Sequence, residues 1–96
     1  MAAPHSSYKW TPLGYTQITS LSAATGLGSI PTDTIMVLIQ AEAQSVRWRD
    51  DGGNPTASVG MLLAAGQTFQ YTAPDLTAIK FIQAASGAIL NVSFYK

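Results

Sequence analysis

Regularly spaced turn residues divide this chain into short segments, and this spacing limits its possible folds more than any other feature. Gly, Pro, Asn and Asp recur about every 8–12 residues, the spacing typical of β-sandwiches and β-barrels. The segments between them are rich in β-branched and aromatic residues or alternate polar with apolar residues, as in 15–20, 35–39, 68–71, 79–83 and 90–94. Glycine interrupts each short helix-like run. The pattern predicts an all-β fold: one small antiparallel β-sandwich or jelly-roll-like barrel of about eight short strands.

The first fourteen residues, MAAPHSSYKWTPLG, lack a clear hydrophobic period and contain two prolines. They predict an extended N-terminal arm over residues 1–14, followed by the β-sandwich domain over residues 15–96. A free arm would expose the rings of Tyr8 and Trp10 to water, so we expect one or both to dock onto the domain or onto a neighbouring subunit. The segment also lacks the apolar stretch of a secretory signal, so we do not expect it to be one.

Alternation within the predicted strands identifies a core. The predicted core comprises Ile18, Val37, Ile39, Val46, Trp48, Leu62, Phe69, Tyr71, Ile79, Phe81, Leu90, Val92 and Phe94.

The last predicted strand runs to the final residues of the sequence. We therefore expect that removing those residues unfolds the protein.

The charged residues are concentrated in one strand and the turn that follows it. Four of the ten charged residues, Arg47, Arg49, Asp50 and Asp51, fall within five positions and precede a Gly-Gly-Asn-Pro turn. In a strand, Trp48 would point into the core while Arg47 and Arg49 point outward. We expect Asp50 and Asp51 to accept hydrogen bonds in the turn and to pair with the two arginines.

Composition bounds the possible partners and cofactors. Charged residues make up only 10% of the chain, against about 25% in an average soluble domain. The formal net charge is zero, so no long-range field would attract nucleic acid or an anionic membrane. Two arginines neutralised by two aspartates would also bind a phosphate backbone poorly, so we expect no nucleic-acid or membrane partner. With no cysteine, a domain this small cannot use disulfides, and it is expected to rely on association with other proteins.

The residues that catalysis and metal binding need are scarce. The one histidine, His5, lies in the predicted arm, and the nucleophile elbow Gly-x-Ser-x-Gly is absent from the sequence. Neighbouring Asp50 and Asp51 would diverge in a strand, which disfavours a carboxylate pair for glycoside hydrolysis, although Glu42 leaves such a pair open. We expect no enzyme activity, no cofactor and no metal site.

Several phrases of the sequence resemble a group of small structural proteins encoded among the head genes of tailed bacteriophages. The resemblance extends over about Tyr15 to Lys96. The phrases that carry it are VLIQAEAQSVRWRDDG (residues 37–52), Pro55-Thr56-Ala57, Val59-Gly60-Met61, Ala65-Gly66, Lys80-Phe81-Ile82 and LNVSFY (residues 90–95).

The resemblance implies a virion component, namely a capsid decoration or cement protein assembled in the host cytoplasm and bound in many copies to the capsid surface. It supplies no catalytic residues. The expected partners are the major capsid protein and copies of the chain itself, for which a trimer would suit a capsid threefold axis. The predicted interface residues are Tyr8, Trp10, Arg47, Arg49, Asp50 and Asp51.

An alternative is a tail or fibre component with a lectin-like domain that binds a carbohydrate receptor. In that case Tyr8, Trp10 or Tyr95 would stack against sugar rings, and the acidic turn would supply hydrogen-bond acceptors.

Overall fold

A computed structural model describes residues 10–96, which form seven β-strands and no helix, so the predicted all-β class is confirmed. Seven strands are close to the expected number of about eight. The strands are β1 (Pro12–Ile18), β2 (Met36–Glu42), β3 (Val46–Arg49), β4 (Met61–Leu63), β5 (Thr68–Tyr71), β6 (Lys80–Gln83) and β7 (Ile89–Tyr95).

The strands form two antiparallel sheets. The larger sheet has the order β1-β7-β2-β5 and the smaller one the order β4-β3-β6. An isolated bridge between Thr25 and Phe81 continues the smaller sheet past β6. Two separate sheets with a shared core make the fold a β-sandwich rather than a closed barrel.

Strand β1 begins at Pro12, inside the range 1–14 that the sequence predicted as an arm. Pro12 pairs with Tyr95, and Thr11 and Lys96 exchange two backbone hydrogen bonds of 2.8 and 3.0 Å. Proline signals a break in most strands, but it is tolerated at the first position of an edge strand, and β1 is an edge strand. Residues 12–14 of the predicted arm are therefore part of β1, and residues 1–9 lie outside the described residues.

The core lies between the sheets and follows the predicted alternation. Val37, Ile39 and Ala41 from β2 face Val46 from β3 and Phe81 from β6. The loops also contribute apolar side chains that the strand pattern did not identify, namely Leu21, Leu27, Leu76 and Ala88. Of the predicted core, Ile18, Trp48, Phe69 and Tyr71 are half-buried but pack against this cluster.

The prediction that Leu62 belongs to the core is wrong. Leu62 is 55% exposed, whereas its neighbour Leu63 is 5% exposed. Strand β4 pairs Leu63 with the buried Val46 and Leu62 with the outward-facing Arg47. Two adjacent leucines give no alternation of their own, so only the pairing with β3 decides which one is buried.

Candidate functional site

The charged segment occupies β3, the central strand of the smaller sheet, and the turn after it. Val46 and Trp48 point toward the larger sheet, whereas Arg47 and Arg49 point away from it. The predicted division of this strand into an apolar and a cationic side is confirmed.

Trp48 connects the two sheets through aromatic contacts. Its ring stacks on Phe69 of β5, with centroids 5.4 Å apart and planes 13° from parallel. Tyr71 meets Trp48 edge-on at 6.2 Å. These offset and edge-on arrangements suit the charge distribution of aromatic rings, so the three rings fix the position of β3 against β5.

Arg49 and Asp51 form a bidentate ion pair. Nε and Nη2 of Arg49 donate to Oδ1 and Oδ2 of Asp51 over 3.0 and 2.7 Å. The same hydrogen bonds raise the pKa of Arg49 and lower the pKa of Asp51, and the Gly53 amide donating to Asp51 lowers it further. A Cβ at Gly53 would lie 2.6 Å from Nη2 of Arg49, so glycine leaves room for the guanidinium group.

Arg47 fastens the loop that joins β3 to β4. Its Nη1 donates to the carbonyl of Gly60 over 3.0 Å and its Nε to the carbonyl of Ala57 over 3.3 Å. The loop returns to the sheet at Gly60, where φ is +139° and a Cβ would lie 3.1 Å from the carbonyl oxygen of Trp48. Glycine is therefore needed at this position.

Asp50 binds the aromatic cluster instead of an arginine. The hydroxyl of Tyr71 donates to Oδ2 of Asp50 over 2.7 Å. Burial, together with this carboxylate, raises the pKa of Tyr71 to about 12. The prediction that both aspartates pair with the two arginines is wrong in part, because only Arg49 and Asp51 form an ion pair among residues 10–96.

The outer surface of the smaller sheet combines cationic and apolar side chains. The β3–β6 register places Arg47 beside Ile82 and Arg49 beside Lys80, and the β3–β4 register places Leu62 on the other side of Arg47. We call these five residues the cationic face. It includes three of the chain's five lysines and arginines, and Asp51 neutralises one of them.

The border of the cationic face at β4 exposes more apolar surface. Val59 is 56% exposed and Met61 is 59% exposed. They line a shallow depression of about 310 Å³ together with Trp48, Arg49, Asp50 and Asp51. Because β4 is an edge strand, this apolar border is open on its outer side.

The predicted aromatic interface residues are in different environments. Trp10 is half-buried, and Tyr8 lies outside the described residues. Tyr95, a stacking candidate for the carbohydrate alternative, is 8% exposed, and its hydroxyl accepts a 3.2 Å hydrogen bond from Ser93. The ring of Tyr95 is therefore not available as a stacking surface.

The outer surface of the larger sheet carries a polar cluster that sequence reasoning missed. Tyr15, Gln17, Gln40, Glu42 and Asn91 are joined there by side-chain hydrogen bonds, and we call them the polar face. Alternation in the predicted strands placed Tyr15, Gln17 and Asn91 on the outward side, whereas Gln40 and Glu42 lie beyond the predicted strand 35–39 and belong to β2 in the structure. The signal was incomplete because the strand order, which makes β1, β7 and β2 neighbours, does not follow from the sequence.

Within residues 10–96 no helix could span a membrane, and no group of three or more His, Cys, Asp or Glu side chains is placed to hold a metal ion. No protein-family profile, curated protein or solved structure matches the chain.

Proposed function

We propose that the chain is a bacteriophage virion protein of the capsid decoration type, which binds the shell of the major capsid protein in many copies and stabilises it. The role is structural and not catalytic. The proposal is supported by the sequence resemblance over residues 15–96 and by the confirmed β-sandwich. It draws its strongest support from the cationic face.

The cationic face has the chemistry of a protein interface. Arginine is enriched in such interfaces because its planar guanidinium group binds carboxylates and carbonyl oxygens in a fixed geometry. Leu62 lies 55% exposed beside Arg47, and Ile82 contributes a half-buried apolar side chain on its other side. We therefore assign to the shell a partner surface with carboxylates around an apolar centre.

The internal hydrogen bonds of this surface reduce the cost of binding. Arg49 is held by Asp51, and Arg47 is held by two backbone carbonyls. Side chains that are already ordered lose less conformational entropy when a partner docks. The cationic face is thus preorganised for binding a partner.

Strand β1 begins at the same end of the sandwich as the Asp50–Asp51 turn. Pro12 pairs with Tyr95, Tyr95 pairs with Met36, and Val37 pairs with Tyr71, whose hydroxyl binds Asp50. Pro12 therefore lies at the same end of the strands as the turn. The proposal includes a contact between the predicted arm and the neighbouring subunit that the cationic face binds.

The lectin-like alternative receives no support at Tyr95 or at the acidic turn. Tyr95 is buried, Asp50 accepts from Tyr71, and Asp51 is paired with Arg49. The acidic turn therefore has less free acceptor capacity than its sequence indicates.

The test is occupancy on virus particles. Particles of the phage whose genome encodes the chain are prepared without this protein. They are then mixed with the purified protein, sedimented and imaged. The test variant exchanges the ion pair, Arg49→Glu with Asp51→Arg, which keeps the net charge and an internal pair while reversing their order. The control variant, Glu42→Gln, changes the opposite surface. Arg47 is left intact because it also holds the loop.

We expect the wild type and the control to bind the shell at regular positions, and the exchanged variant to lose at least about tenfold in affinity, since charge pairs in interfaces carry coupling energies above about 1.4 kcal/mol. A wild-type protein that does not sediment with the particles overturns the proposed function. Full occupancy by a folded exchanged variant overturns the assignment of the cationic face.

A further inference from the structure

We infer that the polar face binds a neutral oligosaccharide, a site distinct from the cationic face and independent of the role in a capsid. Three features indicate the ligand class. The side chains of the polar face form a network of hydrogen bonds, and an exposed tyrosine ring lies beside it. A shallow depression adjoins the network, and none of the residues that line it is cationic. The hydrogen-bonded cluster comes from β1, β2 and β7, and β5 adds Thr68 to the lining of the depression.

Asn91, at the middle of β7, organises the polar face. Its Oδ1 accepts from the Tyr15 hydroxyl over 2.6 Å and from Nε2 of Gln17 over 3.0 Å. Its Nδ2 donates to Oε1 of Gln40 over 3.1 Å and to Oε1 of Glu42 over 2.8 Å. With both donors and both lone pairs of its amide in use, Asn91 is a positioning residue that fixes the four side chains around it.

The four surrounding side chains keep hydrogen-bonding groups for a ligand. Among the hydrogen bonds of residues 10–96, the carbonyl of Gln17, the amide NH₂ of Gln40 and the second carboxylate oxygen of Glu42 have no partner. All three side chains are exposed. They offer acceptors and donors at fixed spacing, which suits a molecule whose edge carries several hydroxyl groups.

A shallow depression of about 200 Å³ adjoins these groups. It is lined by Tyr15, Leu38, Gln40, Thr68, Asn91, Val92 and Ser93. Tyr15 is 64% exposed, yet its hydroxyl is held by Asn91, so the ring presents a face in a fixed orientation. The C–H surface of a pyranose ring packs on such a face while its hydroxyl groups reach the amides.

The charge distribution selects a neutral ligand. None of the residues that line the depression is charged, and the nearest charged group of the cluster is the carboxylate of Glu42. An anionic ligand would be repelled by Glu42 and would find no cation among the residues that line the depression, and Arg47, Arg49 and Lys80 belong to the opposite sheet surface. Tyr15 is the only exposed large apolar side chain in this lining, so its ring is the surface on which a sugar would stack.

The test uses the full chain. A printed array of neutral, sialylated and sulfated glycans identifies the preferred sugar, and ¹⁵N-labelled protein is then titrated with the soluble neutral oligosaccharide that binds best. Weak affinity in the millimolar to micromolar range is expected for a shallow site, and shifts should be confined to β1, β2, β7 and the start of β5 at Thr68. The test variants are Tyr15→Ala and Gln40→Ala, and the matched control is Leu62→Ala on the opposite surface.

We expect Tyr15→Ala and Gln40→Ala each to weaken binding at least about tenfold, with the Leu62→Ala protein unchanged. The dispersion of the amide spectrum shows whether each variant is folded, and the two test variants are independent of each other. Failure of every neutral glycan on the array, tighter binding of the sulfated glycans, or unchanged binding by both folded test variants overturns the inference. None of these results bears on shell binding, so failure here is distinguishable from failure of the proposed function.

Discussion

Adjacent charged residues in this protein have different roles, and the difference comes from which side of the strand each one lies on. Asp50 and Asp51 are neighbours in sequence, yet one binds a tyrosine of the other sheet and the other binds the arginine two residues before it. Arg47 and Arg49 lie on the same side of β3 and still differ, since only Arg49 has a carboxylate partner whereas Arg47 donates to loop carbonyls. Side-chain roles at this site therefore follow from the geometry and not from the charge pattern alone.

Tyr71 gives a prediction at alkaline pH. Burial and the Asp50 carboxylate raise its pKa from 10.0 to about 12 in the folded protein. The neutral form is favoured in the folded state, so the stability that this contributes is fully present below pH 10 and is lost as pH rises through about 12.

The measurement is urea unfolding at a series of pH values, with tyrosinate absorbance followed in parallel. The wild type should lose stability between pH 10 and 12 more steeply than Tyr71→Phe, and one tyrosine should titrate late in the wild type only. Identical pH profiles of the two proteins would contradict the raised pKa.

At the scale of one element, β4 shows how strand register decides which of two adjacent leucines is buried. Leu63 is buried opposite Val46, and Leu62 is exposed opposite Arg47. We expect Leu63→Ala to lower the free energy of unfolding by about 2–4 kcal/mol because it leaves a cavity. We expect Leu62→Ala to change it by less than about 0.5 kcal/mol. Chemical denaturation measures both, and equal effects would show that the register of β4 is different.

The strands show how much could be predicted from sequence. β7 alternates without interruption over Leu90, Asn91, Val92, Ser93 and Phe94, so its type and its buried side were predictable. β4 is three residues long and has no alternation, so the sequence did not predict which of its leucines is buried. β1 starts at a proline, so the sequence did not predict where it begins. The pairing partners supplied the missing information in both cases.

The candidate sites, like the strands, could be predicted from the sequence only in part. Sequence alone predicted that Arg47 and Arg49 face outward, because β3 alternates around the half-buried Trp48. It could not show that Lys80 and Leu62 join them, or that Gln17, Gln40 and Asn91 meet, because each set comes from several strands. Sites built across a sheet depend on strand order, and strand order depends on contacts between distant segments.

For the molecule as a whole, the stability of the fold depends more on β7 than on any other strand. It is central in the larger sheet, pairs with both β1 and β2, and brings Leu90, Val92 and Phe94 into the core. Deletion of residues 94–96 removes the Phe94 ring, worth about 3–5 kcal/mol by itself, and the last pairs of both ladders. A domain of this size has a total stability of only about 5–15 kcal/mol, so we expect the shortened chain to be largely unfolded.

Circular dichroism and thermal melting of the deletion variant measure this effect, with Lys96→Ala as the control that keeps the backbone pairs of β7. The control should melt close to the wild type. A deletion variant with a wild-type melting curve would mean that β7 contributes less to the fold than its position indicates.

The two outer surfaces of the sandwich differ in chemistry and face in opposite directions. A copy attached to a shell through its arginines and lysine would therefore turn its amides and Tyr15 toward the surrounding medium. Many such copies on one particle would act with avidity, so that sugar contacts too weak to retain a single molecule would hold the whole particle near a glycan-coated surface.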